Sequence, residues 1–165
     1  MEKSFFSQFF AKSDGVTTLE IHTWHVIEAS KQLLAKLPFS ENEKKYWSDK
    51  LFRCAVLHDL GKIHPAFQGN LKGEQRIAIR HEIISLWFCE NYLDLPEDEL
   101  FAIATHHKGV VKPDGDTKNL DSDALTSHME DHFASCNDLL NAETVQLWLE
   151  TFGLASLLKK ERSEP

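Results

Sequence analysis

No run of about 18 apolar residues occurs in the sequence, so nothing in it reads as a membrane span. The opening MEKSFFSQFFAK is aromatic, but it lacks a long apolar stretch and a small-residue cleavage site, which argues against a secretory leader. Cysteine is sparse. Cys54, Cys89 and Cys136 are odd in number and far apart, and each lies within an apolar helical pattern. They read as buried free thiols rather than disulfides or a thiolate site. Unpaired thiols and no leader predict a cytoplasmic protein. Basic residues are outnumbered, 18 Lys and Arg against 26 Asp and Glu, for a formal charge of −8. That balance favours solubility and opposes nonspecific duplex binding. Sustained strand alternation, internal repeats and low-complexity tracts are missing too.

What is present is helical periodicity. A chain of 165 residues, 42% hydrophobic and 27% charged, fits one domain able to bury a core without staples. The fold class expected is all-α, a compact domain of about six helices. Thr17 with Glu20 reads as a capping box for a first helix that Pro38 stops near Leu37. Ser40 with Glu43 repeats the device for a second helix to His58, which Gly61 would end. A Gly/Lys/Gln-rich loop over 63–75 precedes a third helix over 76–92. Pro96 opens a fourth, with Leu100, Ile103, Ala104 and His107 at i, i+3, i+4, i+7 spacing. Residues 109–121 read as a loop, and two further helices are expected over 123–140 and 143–160.

The chemistry sits in AVLHDLGKIHPAFQ. His58 and Asp59 are adjacent, and helical neighbours project about 100° apart, so the two side chains can grip different metals or bridge a pair. Leu51, Phe52, Cys54, Ala55, Val56 and Leu57 lead into them, delivering a polar dyad to the end of a buried helix. Buried charge needs a partner or a metal. The chain has nine histidines, and His22, His58, His81, His106 and His107 fall at helix ends or on apolar faces. Any one alone reads as a satisfied core histidine. Four helices each presenting one do not behave independently.

Imidazoles and a carboxylate converging in a low-dielectric pocket are costly unless a cation gathers them. The mostly imidazole set favours manganese, iron, cobalt, nickel or zinc over an all-oxygen site, with magnesium still admissible. Two metals about 3.5–4 Å apart could share Asp59, acidify a shared water and stabilise a phosphoryl group. Lys62, one turn beyond the dyad, can place an ammonium on a phosphate oxygen, or can simply complete a helix C-terminus in solvent.

In this order, LEIHTWHV, LHDLGKIHPAFQ, RHEIIS and ATHHKG resemble the HD superfamily of metal-dependent phosphohydrolases. Within it they are most similar to the HD nuclease domain of the CRISPR-associated helicase-nuclease of type I systems, over about residues 19–109. The resemblance implies His22 as the first-motif ligand, four residues before Val26, with His25 at the surface or behind the ligands. It implies His58 and Asp59 as the dyad with Asp59 bridging, and Lys62 as the phosphate-facing lysine. His22 and His58 would serve the first metal, and His81, His106 and His107 the second. Phe67 and Gln68 match the loop after the dyad, where packing is the expected role.

The family pattern also carries one later aspartate closing the first metal's shell. FGLASLLKK looks like the lead-in to it, but Lys159 and Lys160 follow. Asp114, Asp116, Asp121, Asp123, Asp131 and Asp138 are substitutes outside the usual setting, and the chain is readable as a fragment of a longer helicase-nuclease.

The activity implied is hydrolysis of single-stranded DNA in antiviral defence, with a helicase and an RNA-guided surveillance complex supplying the strand. Lys72, Arg76 and Arg80, with Lys108, Lys112 and Lys118, could form a local basic patch against the overall negative charge. Two alternatives stay open: an HD phosphohydrolase acting on a nucleotide or cyclic nucleotide, and a non-catalytic helical module that keeps its histidines for a structural metal or a partner.

Overall fold

The computed structural model describes residues 4–74, 76, 80–107 and 142–159. Among them are six α-helices and no strand: α1 Leu19–Lys36, α2 Glu41–Leu57, α3 Pro65–Lys72, α4 His81–Tyr92, α5 Glu97–Thr105 and α6 Ala142–Thr151. The all-α expectation holds. The expected helix over 123–140, the loop over 109–121 and Cys136 lie outside the described residues, as do Lys108, Lys112, Lys118 and the six substitute aspartates.

The N-cap of α1 is Thr18, one residue later than the sequence suggests; its hydroxyl accepts from the Ile21 N–H at 3.3 Å. Thr17 is instead held by Asp14, whose carboxylate also accepts from the Val16 N–H. The Thr17 hydroxyl first, then the two backbone donors, pull the Asp14 carboxyl down to about 2. Leu37 is extended, as a residue before proline prefers, and α1 stops at Lys36. The Ser40–Glu43 capping box on α2 is formed in both directions. The short connection over 37–40 folds α2 back along α1.

Three elements differ from expectation. The supposed loop over 63–75 contains α3: the His64 imidazole caps it by accepting from the Ala66 N–H at 3.0 Å, Pro65 fills its first turn, and Gly73 at φ +75° ends it. Next, α4 begins at His81 rather than at residue 76, because Arg80 is extended and no side chain caps the start. Apolar spacing alone does not mark such a boundary. Finally, α6 ends at Thr151, where Gly153 at φ +72° reverses the chain and the Leu154 N–H bonds the Leu149 carbonyl. A 3-10 turn, Ala155–Leu157, then leads Leu158 into a bridge with Leu93.

The core joins Leu19 and Ile27 of α1, Val56 and Leu57 of α2, Ile84 and Phe88 of α4, Ile103 of α5, and Val145, Trp148 and Leu149 of α6. Trp148 is fully buried and donates its indole N–H to the Val56 carbonyl at 2.8 Å. Covering an aromatic side chain of that size contributes roughly 4–6 kcal/mol of transfer free energy. The N-terminal segment, which the sequence marks only as aromatic, belongs to this core: Phe6 packs edge-on against Trp148 at 4.7 Å. Cys54 is half-buried and Cys89 buried, both as free thiols, with burial raising Cys54 to about 11. No helix among the described residues is long and apolar enough to cross a membrane.

Candidate metal centre

Helix α2 ends where the dyad begins. His58 is its C-cap, and the chain tightens through Asp59 into a 3-10 turn, Leu60–Ile63, buried throughout. Gly61 does not end α2, and its φ is not positive. It is needed for close approach: a Cβ there would meet the His81 carbonyl oxygen at 2.1 Å and Ile84 Cβ and Ser85 N at 2.9 Å. Its N–H donates to Ser85 Oγ at 2.8 Å. The first turn of α4, carrying His81, is thereby pressed onto the turn carrying Asp59.

Asp59 is 1% exposed, and imidazoles reach it from four elements. His22 of α1 brings Nε2 to 3.1 Å from Oδ2, and His58 brings Nε2 to 3.3 Å from the same oxygen. His81 of α4 and His106, the cap of α5, bring Nε2 to 3.1 and 3.5 Å from Oδ1. His107 Nε2 lies 3.0 Å from His81 Nε2. Two groups of donor atoms result, each within 4.8 Å: His22, His58 and Asp59, and Asp59, His81, His106 and His107. All six expected ligand positions come together here. His25 is exposed.

The proton positions test whether a cation fits. His58 Nδ1 lies 2.8 Å from the Ala55 carbonyl and His106 Nδ1 2.7 Å from the Ile103 carbonyl. A carbonyl only accepts, so both rings carry hydrogen at Nδ1 and, when neutral, turn an Nε2 lone pair toward the Asp59 carboxylate. Lone pairs facing a buried anion repel. Neither Asp59 oxygen, nor His106 Nε2, has a hydrogen bond of proper geometry. Oδ2 does meet the Lys62 ammonium at 2.7 Å, but Oδ1 and His106 Nε2 face inward as orphaned acceptors from a His-rich set, which is what a divalent cation binds, and the residues fit one.

Burial opposes ionisation of Asp59, but with the rings protonated and donating through Nε2, His106, His22, His58 and His81 outweigh it and hold the carboxyl far below the usual carboxylate range. Burial likewise opposes charge on His106, and Asp59 beside it turns the net shift upward. His107 is shifted down, by burial first and then by His106 and His81.

Lys62 is not solvated. It is 8% exposed, with Nζ 2.7 Å from Asp59 Oδ2. Phe67 packs edge-on against the His81 ring at 4.9 Å. Gln68 is a hydrogen-bonding residue rather than the packing residue expected: it is 6% exposed and bonds Phe10 and Lys62. Glu82 was passed over by sequence reasoning; it pairs with Arg80 at 2.8 Å and approaches His81 Nδ1 at 3.8 Å. Its place beside a histidine in RHEIIS was the available signal. A cleft of about 230 Å³ between α1 and α2, reaching Ile27, Leu34 and Phe52, includes none of the six ligand positions.

No curated protein and no solved structure matches the chain. A family model does, over residues 15–164, and its description is Cas3, HD domain. Families of HD type bind divalent metals, in keeping with the donor set around Asp59. With nearly its whole length matched, the chain belongs to the Cas3 HD domain family, that of CRISPR-associated, metal-dependent HD nucleases.

Proposed function

We propose that the chain hydrolyses phosphodiester bonds of single-stranded DNA in CRISPR antiviral defence, at a centre of two divalent cations sharing Asp59. His22 and His58 would hold one cation with Asp59; His81, His106 and His107 would hold the other. Bound there, the cations would supply Lewis-acid charge to a phosphoryl group and make a water more acidic. The observation that carries this reading is the convergence of four imidazoles on one buried carboxylate without proper hydrogen bonds.

The chain's own residues supply position and charge. Asp59, held ionised, fixes the spacing of the two donor groups. The α2 and α5 carbonyls fix the tautomers of His58 and His106, so both rings present Nε2 without searching for it. Lys62 keeps an ammonium at the same carboxylate, where a phosphate drawn to the centre would meet a point charge. Substrate would enter from the rim, since His107 is exposed and His22 half-buried while Asp59 is closed off.

Lys72 and Arg76 are exposed on the chain leading to His81, with exposed Glu74 between them, little positive charge in a molecule of net charge −8. A strand would therefore need delivery, which supports a helicase and an RNA-guided complex as partners, the company this domain keeps in its family.

The test is circular single-stranded DNA incubated with manganese, nickel, magnesium or chelator. Cutting of the circle under a metal and not under chelator is expected, and demands endonuclease action. No cutting under any metal, with turnover of a cyclic nucleotide instead, replaces this reading with a nucleotide phosphohydrolase.

A further inference from the structure

We propose that Gln68 is a positioning residue for Lys62: one side-chain amide fixes both the backbone of Lys62 and the segment that receives its ammonium. The inference rests on the reading of Asp59 and Lys62 as parts of a phosphodiester-cleaving centre.

Gln68 Oε1 accepts from the Phe10 N–H at 2.9 Å. Its Nε2 donates to the Phe10 carbonyl at 2.9 Å and to the Lys62 carbonyl at 2.7 Å. A primary amide has two N–H donors, and both are engaged. Lys62 Nζ, besides Asp59 Oδ2 at 2.7 Å, meets the Ala11 carbonyl at 3.4 Å. Ala11 follows Phe10 directly, so Gln68 grips the residue beside one end of Lys62 and the main chain at the other. A lysine stem is flexible and places its charge accurately only when both ends are held.

Phe10 and Gln68 are 58 residues apart, and no local geometry brings them together. The N-terminal segment has other anchors: Phe6 and Phe9 are in the core, and the Ala11 N–H bonds the Thr17 carbonyl. Loss of the amide should therefore loosen the aim of Lys62 without unfolding the protein. A residue that only stapled the segment would affect melting and leave Lys62 where it is.

The experiment compares wild type with Lys62→Met, Gln68→Met, Gln68→Glu and the double variant Lys62→Met/Gln68→Met. Gln68→Met keeps length and loses the bonds; Gln68→Glu keeps shape and turns a carboxylate on two carbonyls. On single-stranded DNA, both Gln68 variants should lower kcat on the order of tenfold with KM little changed. The double variant should be no slower than Lys62→Met alone. A further loss of the same factor in the double variant overturns the proposal, because Gln68 would then act independently of Lys62. Lys62→Met as fast as wild type overturns it too, while leaving the cation centre standing.

A second readout needs no activity. In chelator-treated protein, ¹⁵N NMR should show a slowly exchanging lysine ammonium signal, absent from Lys62→Met and lost in Gln68→Met. Its persistence in Gln68→Met overturns the proposal. If the wild type cuts no DNA, the functional reading has failed, and this signal alone decides the role of Gln68.

Discussion

Substituting Gly61 with alanine adds one methyl group where the structure has no room for it. The new Cβ would stand 2.1 Å from the His81 carbonyl oxygen, a backbone atom that can yield only if the first turn of α4 moves. Forcing a methyl group into a packed site costs about 1–3 kcal/mol. Moving α4 also breaks the 2.8 Å bond from the Gly61 N–H to Ser85 Oγ. A buried N–H left without a partner costs a further 1–3 kcal/mol or about that. The total is about 2–6 kcal/mol, and at roughly 2–4 °C per kcal/mol for a chain of this size the melting midpoint should fall by about 10 °C.

His81 rides on the turn that moves, and a displacement near 1 Å can cost about a hundredfold in activity, so cleavage should suffer even where the variant is folded. The matching control is Gly73→Ala. That glycine sits at φ +75° with nothing within 4 Å of an added Cβ, so it loses only the left-handed strain of about 1–2 kcal/mol. Thermal and urea unfolding of both variants, with unchanged m-values, separate the two mechanisms. A Gly61→Ala midpoint within about 3 °C of wild type, a cost near 1 kcal/mol, would refute the close-approach argument.

Three further predictions concern the centre and its support. If two cations share Asp59 as proposed, Asp59→Asn should lower bound manganese, by elemental analysis, by more than one ion per chain, since both donor groups use that carboxylate, whereas His22→Ala should lose only one; equal loss from both variants refutes the sharing. In chelator-treated protein, NMR titration should place His106 above the usual 6.5 and His107 below it. His106 thus contributes stability below pH 6.5 that fades as pH rises through its folded value, and His107 contributes stability above pH 6.5 that fades as pH falls; the reverse order of titration sinks the assignment. Arg53→Ala takes from Glu99, 2% exposed, its two bonds of 2.6 and 2.8 Å and leaves it only the Lys50 ammonium at 3.8 Å, and should cost about 3 kcal/mol in urea melts. Asp98→Ala, at an exposed pair with Lys50, should cost under about 1 kcal/mol, and equal losses would contradict the burial argument.

Much of the centre was legible because its residues announce themselves in pairs and at helix ends. His58-Asp59 follows an apolar run, and His106-His107 follows the stripe of α5. Their convergence is a consequence of packing that no spacing could supply, yet the residue types predicted the cost that convergence would carry. What stayed hidden depends on contacts far apart in the chain. Gly61 looked like a helix terminator, because a glycine after a helix usually is one; its real constraint is a carbonyl 20 residues on. Gln68 looked like a packing residue, because its partner Phe10 belongs to a segment with no periodicity to advertise it. The missed helix α3 did carry signals, a proline in the first turn and a glycine at the end, but its Gly, Gln, Asn and Lys content masked them.

The way His58 and His106 are held has a consequence for variation. Each ring proton is assigned by a main-chain oxygen of the ring's own last helical turn, and every amino acid at positions 55 and 103 offers the same oxygen. Packing limits drift at these two buried positions, but any side chain the core admits there leaves the ring orientation in place, provided the turn itself keeps its shape. The Asp59 pocket thus inherits part of its order from the peptide backbone, where substitution cannot reach it.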